Sequence, residues 1–116
     1  MGQKAKTNQL DPVTHQSGWG YIQISSTVSS TSTAVTFPTA MASVPKSIVA
    51  TLTGYRATGS GAPSSLADFT QAYGNNYSQT VFIRNASTTG FTLDISAGTS
   101  NSIGASYIGY SWMAEA

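Results

Sequence analysis

The sequence contains no cysteine, which removes a disulfide framework, a thiolate metal site and a cysteine nucleophile together. Charge is nearly as scarce. Five Lys and Arg against four Asp and Glu make up 8% of the 116 residues, where an average domain carries about 25%. The net charge of +1 leaves no clustered basic excess, so the footprint of a nucleic-acid-binding protein is missing. The balance also excludes an acidic disordered tail, which stays unfolded through high net charge and low hydrophobicity. No stretch approaches the roughly 18–20 consecutive apolar residues of a membrane span, so no membrane insertion is expected. Lys4 and Lys6 are not followed by an apolar stretch, as a secretory signal requires. Lys6 also stands where a myristoylation motif after Met1 and Gly2 needs Ser or Thr.

The catalytic inventory is equally thin. His15 is the single histidine, and the four carboxylates are Asp11, Asp68, Asp94 and Glu115, scattered along the chain. A glycosidase needs two carboxylates flanking one bond, and a serine hydrolase needs a histidine held against its nucleophile. No Gly-x-Ser-x-Gly elbow, P-loop, dinucleotide fingerprint or metal-ligand spacing occurs. The expectation is a protein without catalytic residues, metal or cofactor, and not an enzyme.

What the chain does have is hydroxyl groups and turns. Ser and Thr supply 34 residues and Gly another 11, with 10% aromatics. This composition reads as one all-β domain rich in turns, at a length typical of single domains. The chain divides near Gly18. Residues 1–18 hold both N-terminal lysines, Asp11, Pro12 and His15, with Leu10 and Val13 as their sizeable aliphatics. Such a segment cannot bury enough to fold alone, and is expected either to fray or to dock as a polar arm on a partner. Residues 19–116 carry the β pattern. Six strands are predicted, at 19–28, 33–37, 47–53, 80–85, 91–96 and 105–114. Apolar residues alternate with polar ones: Ile22 and Ile24, Val35 and Phe37, Ile48, Ala50 and Leu52, Phe91, Leu93 and Ile95, then Ile108, Tyr110 and Trp112. The five-residue connection 86–90, ending in Gly90, is a hairpin signal. The expected architecture is an antiparallel six-stranded β-sandwich with one long inter-strand loop, and Asp94 in solvent.

That loop runs from Tyr55 to Tyr77, longer than the roughly 12–15 residues usual for a connection without function of its own. Ser65 is positioned to cap a short helical turn through Phe69. Tyr55, Phe69, Tyr73 and Tyr77 supply flat surfaces of low conformational entropy, and Arg56, Asp68, Gln71, Asn75 and Asn76 supply polar groups. Aromatic faces beside amides and carboxylates suit a sugar, while the same tyrosines could anchor the loop or pack it on a neighbouring subunit. Tyr55, Arg56, Asp68, Tyr73 and Asn76 are the candidate ligand-binding residues. Asn76-Tyr77-Ser78 and Asn85-Ala86-Ser87 match the glycosylation pattern, and read as chance matches in so Ser- and Thr-rich a chain. Trp19 and Trp112 are expected in the core or an interface. A nearly uncharged monomer has little colloidal protection, and β edges with few lysines invite pairing, so a stable homo-oligomer is expected.

The order of features resembles a known pattern. Trp19-Gly20-Tyr21 opens a strand, and Val35-Thr36-Phe37-Pro38 leads through Met41 and Pro45 to Ile48-Val49-Ala50-Thr51-Leu52. Thr89-Gly90-Phe91 follows in a hairpin, and Tyr110-Ser111-Trp112-Met113-Ala114 closes the chain. Over roughly residues 19–114 this is similar to the C-terminal tip domain of bacteriophage tail fibres, a six-stranded sandwich like that of the H-type lectins. The resemblance implies a homotrimer located in a virion, whose loops recognise a bacterial surface polysaccharide or protein. The chain would be a tail-fibre tip excised from a longer protein. Alternatively it is a small capsid or tail decoration protein, a cement or head-fibre protein docked on other virion proteins through residues 1–18. A third reading is an autonomous lectin.

Overall fold

The computed structural model describes residues 13–69, 80–96 and 103–116. Six strands form: β1 (His15–Ile24), β2 (Ser30–Thr36), β3 (Ser47–Arg56), β4 (Thr80–Arg84), β5 (Gly90–Ser96) and β6 (Ser106–Glu115). They make two antiparallel three-stranded sheets, ordered β1-β6-β3 and β2-β5-β4. The alternation read from the sequence sets which side chains meet between the sheets. Ile22, Ile24, Ile108, Tyr110 and Trp112 from the first sheet and Val35, Phe91, Leu93 and Ile95 from the second join one buried cluster. The sheets are therefore packed face to face as a sandwich. Trp112 lies between Phe37 and Phe91, with ring centroids 5.3 and 5.8 Å away. Three aromatic rings thus bridge the sheets, Phe91 edge-on to Trp112 as aromatic quadrupoles favour and Phe37 tilted against both. Trp112 is in the core as expected, whereas Trp19 is 39% exposed on the outer face.

Strand β1 begins earlier than the sequence pattern indicates. His15–Gly18 pairs with Trp112–Glu115 of β6, so the expected boundary at Gly18 falls inside a strand. Residues 1–12 lie outside the described residues. Polarity hides these strand positions because their inward faces carry glycine. A Cβ on Gly18 would stand 2.9 Å from the Trp112 indole, and one on Gly20 would stand 2.4 Å from the Tyr110 hydroxyl. The large rings of β6 fill the volume that β1 leaves empty.

Strand β3 holds a second departure from simple alternation. Its register against β6 shifts between Leu52 and Gly54, and Gly54 has a φ of 147°, which glycine adopts without a Cβ penalty. One extra residue at such a bulge flips the faces that follow it. Ile48, Ala50 and Leu52 face inward, and unbroken alternation would put Tyr55 outside. The bulge instead pairs Tyr55 with Ile108 and buries it at 5% exposure in the core cluster. Arg56, paired with Tyr107, turns to the outer face. Asp94 is less free than expected. Its side chain is 28% exposed and forms an ion pair with Arg84 of the neighbouring strand.

Removing the bridging ring should be the most damaging single change. Trp112→Ala is expected to cost about 3–5 kcal/mol of unfolding free energy through the cavity it leaves. Phe82→Ala, on a side chain 57% exposed, should stay within about 0.5 kcal/mol of wild type. Urea denaturation of the two variants measures both.

Candidate functional site

Among the described residues, the outer face of the β1-β6-β3 sheet is only partly covered. Segment 57–69 leaves β3 at Arg56 and folds back over β6, held by two polar clamps. The Arg56 guanidinium donates to the carbonyls of Ser60 (2.8 Å), Gly61 (2.9 Å) and Asp68 (3.3 Å). The Asp68 carboxylate accepts from the Ser64 amide (2.7 Å), the Ser64 hydroxyl (3.0 Å) and the Ser65 amide (3.2 Å). Those bonds favour the ionised form. The Ser64 amide contributes most, then the Ser64 hydroxyl, and together they hold the Asp68 pKa below its ordinary 3.8. Ser65 stands at the N-cap of a single 3-10 turn, Leu66–Asp68, as its position in the sequence predicts.

The clamps deliver Phe69 onto the sheet. Phe69 is 8% exposed and packs on Gly109 of β6, where a Cβ would come within 2.8 Å of its ring. Its other neighbour is Trp19 of β1, edge-on with centroids 6.3 Å apart. Beside this contact runs an open groove of about 460 Å³, lined by Ser17, Trp19, Val49, Thr51, Leu66, Ser111 and Met113 among others. The strand register arranges the floor in two rows. Ser17, Met113 and Val49 lie side by side across the three strands, and Trp19, Ser111 and Thr51 lie in the next row. The Thr51 and Ser111 hydroxyls are 3.2 Å apart and hydrogen-bonded. Among the described lining residues none is charged.

Of the five candidate binding residues, three are placed. Tyr55 is a core residue, Arg56 ties down the segment that follows it, and Asp68 staples the 3-10 turn. The structure brings Arg56 and Asp68 together and spends their hydrogen-bonding capacity within the chain. Tyr73 and Asn76 lie outside the described residues. The residues that form the groove were not singled out from the sequence, although one signal was available. With Ile22 and Ile24 facing inward, alternation places Trp19 and Tyr21 on the opposite face, and likewise Ser111 and Met113 opposite Tyr110 and Trp112. His15 is exposed and lies 3.6 Å from Glu115 across the β1–β6 ladder. Among the described residues no three His, Asp or Glu side chains cluster closely enough to hold a metal ion.

No family model and no curated protein sequence matches the chain. Solved structures do. The tailspike of Pseudomonas phage phi297 matches over 92% of this chain at 14% identity, with a TM-score of 0.56. The chain shares the fold of a phage tailspike segment. It spans 16% of that tailspike's length. The tailspike of Pseudomonas phage LKA1 matches 89% of the chain at 19% identity and a TM-score of 0.49, over 15% of its own length. An N-truncated R1-type pyocin tail fibre matches 98% of the chain at 17% identity and a TM-score of 0.48, over 94% of its own length.

The Asp68 staple carries a definite pH dependence. A carboxyl whose folded pKa is depressed contributes stability that is present above its unfolded value and lost as pH falls through the folded value. The loop should therefore stay closed at pH 4 and loosen only in stronger acid. In nitrogen-15 NMR spectra, the Ser64 and Ser65 amides should titrate with a midpoint below 3.8. Asp68→Ala should abolish that titration and open segment 57–69 to limited proteolysis. A midpoint at or above 3.8 would show that the staple does not form.

Proposed function

We propose that this chain is a tail-fibre-type structural domain of a phage-like virion, acting as a homotrimer and recognising a glycan or protein on the bacterial surface. The observation that carries the reading is the sandwich itself, which superposes on a phage tailspike segment over 92% of the chain. The residue chemistry supports adhesion over turnover. The three described carboxylates are engaged within the fold: Asp68 by Ser64 and Ser65, Asp94 by Arg84, and Glu115 beside His15. No pair of them flanks the groove. Self-association is supported by Val44 and Phe82, each about half exposed outside the groove on a surface with few charges. Residues 1–12 would link the sandwich to the rest of the particle.

Two measurements test this reading. Light scattering behind size exclusion should give a mass close to three times 12.0 kDa, and a monomer at micromolar concentration would overturn the trimer. A fluorescently labelled chain should adsorb to intact cells of some strains in a panel of Gram-negative bacteria. Adsorption to none would overturn surface recognition. If truncation of residues 1–12 leaves cell adsorption intact, the sandwich itself carries recognition. If the truncation abolishes adsorption, residues 1–12 carry it and recognition by the sandwich fails.

A further inference from the structure

We propose that the groove on the outer face of the β1-β6-β3 sheet binds an uncharged saccharide, with Trp19 as the stacking platform and Ser17, Thr51 and Ser111 as the hydroxyl-binding partners. This rests on the recognition reading above and gives it a site and a ligand class.

The argument begins with the pattern on the floor. Each of the three strands presents one hydroxyl and one apolar side chain to the groove: Ser17 and Trp19 on β1, Ser111 and Met113 on β6, Thr51 and Val49 on β3. Strands lie about 4.8 Å apart and alternate residues about 7 Å apart along a strand. The six positions therefore cover roughly 10 by 7 Å, an area suited to a disaccharide. A pyranose ring presents C–H patches to an aromatic or aliphatic surface and hydroxyls at its rim, so it meets both kinds of position at once.

The alternatives fit less well. A second protein copy would seat apolar side chains against Trp19, Met113 and Val49, and would strip water from the intervening hydroxyls. A buried polar group without a partner costs about 1–3 kcal/mol, and the floor holds three hydroxyls of which Thr51 and Ser111 satisfy each other only in part. The mutual Thr51–Ser111 bond uses one donor of the two, so a donor and several lone pairs remain for a ligand. An anionic or cationic ligand would find no counter-charge among the described lining residues. Neutral ligands with their own hydroxyls suit the lining.

The groove is also held in shape before any ligand arrives. Trp19 is braced edge-on by Phe69, Phe69 is seated on Gly109, and the segment carrying Phe69 and the overhanging Leu66 is clamped by Arg56 and Asp68. Ordering of a loop or a rotamer-rich side chain on binding costs affinity, and here it is met during folding.

The test uses the full chain and a defined panel of neutral oligosaccharides built from glucose, galactose, mannose and rhamnose. Sialylated and uronic-acid oligosaccharides of equal length serve as the charged comparison. Indole fluorescence and saturation-transfer NMR report binding. At least one neutral oligosaccharide should bind. Trp19→Ala and Thr51→Val should each weaken it tenfold or more with an unchanged Tm, and Phe82→Ala on the opposite sheet should leave it unaltered. Three results would overturn the proposal: binding confined to the charged sugars, neutral-sugar binding indifferent to Trp19→Ala, or a drop in solution mass in Trp19→Ala that marks the face as a contact between copies. Cell adsorption separates this site from the broader reading. If Trp19→Ala still adsorbs to a strain that the wild type recognises, the groove is wrong and recognition stands. If the wild type adsorbs to none, recognition itself fails.

Discussion

Strand β6 is hydrogen-bonded along both edges and covered on both faces over Ser106–Tyr110, and the rest of the domain is arranged to satisfy it. On its inner side Ile108, Tyr110 and Trp112 need the second sheet. Phe37 and Phe91 supply it, with Leu93 and Ile95 fully buried beside them. On its outer side Tyr107 and Gly109 would face water, and Tyr107 finds Tyr21 edge-on at 5.5 Å while Gly109 accepts the Phe69 ring. A strand buried on both faces is usual in parallel sheets covered by helices. Here a single clamped loop does the work of a covering layer. Among the described residues the cover stops at Gly109, and the remainder of the same face is the groove.

Burial and exposure are thus two ends of one sheet surface. Toward Tyr107 the outer face is closed by aromatic rings, and toward Met113 it is open and mixed in character. The boundary is set by the length of segment 57–69 and by the two polar clamps at Arg56 and Asp68. Both residues carry the charge that makes them look like ligand contacts in a sequence with few charges. In the fold their charge is met by backbone groups of the segment they hold. Surface-held hydrogen bonds of this kind add little to global stability, yet they determine where Phe69 and Leu66 stand. Their effect is felt as groove shape.

Much of the fold was legible because Ser and Thr alternate so regularly with aliphatic residues. The strand positions of β4 and β5 and the inward faces of Ile22, Val35, Leu93 and Ile108 follow from a period of two, whereas β2 starts three residues before the predicted 33–37. The short turn after Ser65 follows from cap chemistry. The early start of β1 was hidden because Gly18 and Gly20 offer no apolar signal, and only the rings of Trp112 and Tyr110 explain why glycine is required there. The orientation of Tyr55 was hidden by the bulge at Leu52 and Gly54, since one unpaired residue reverses every later face and leaves no mark in composition. The candidate site was less legible than the fold. Its residues are drawn from three strands and a loop, so no local window contains it.

By itself, then, the sequence determined the class of protein and the alternation that builds its core. A chain with 8% charged residues, no cysteine and 34 Ser and Thr can bury its aliphatic residues in paired strands. Tertiary structure decided which faces those strands present. Pairing β1 and β3 on either side of β6 brings Trp19, Ser111 and Thr51 into one row although they are far apart in the chain. The bulge sends Tyr55 inward and Arg56 outward. The physical reason is that strand alternation is a local property, whereas register, bulges and the closure of a loop over a sheet depend on partners distant in sequence.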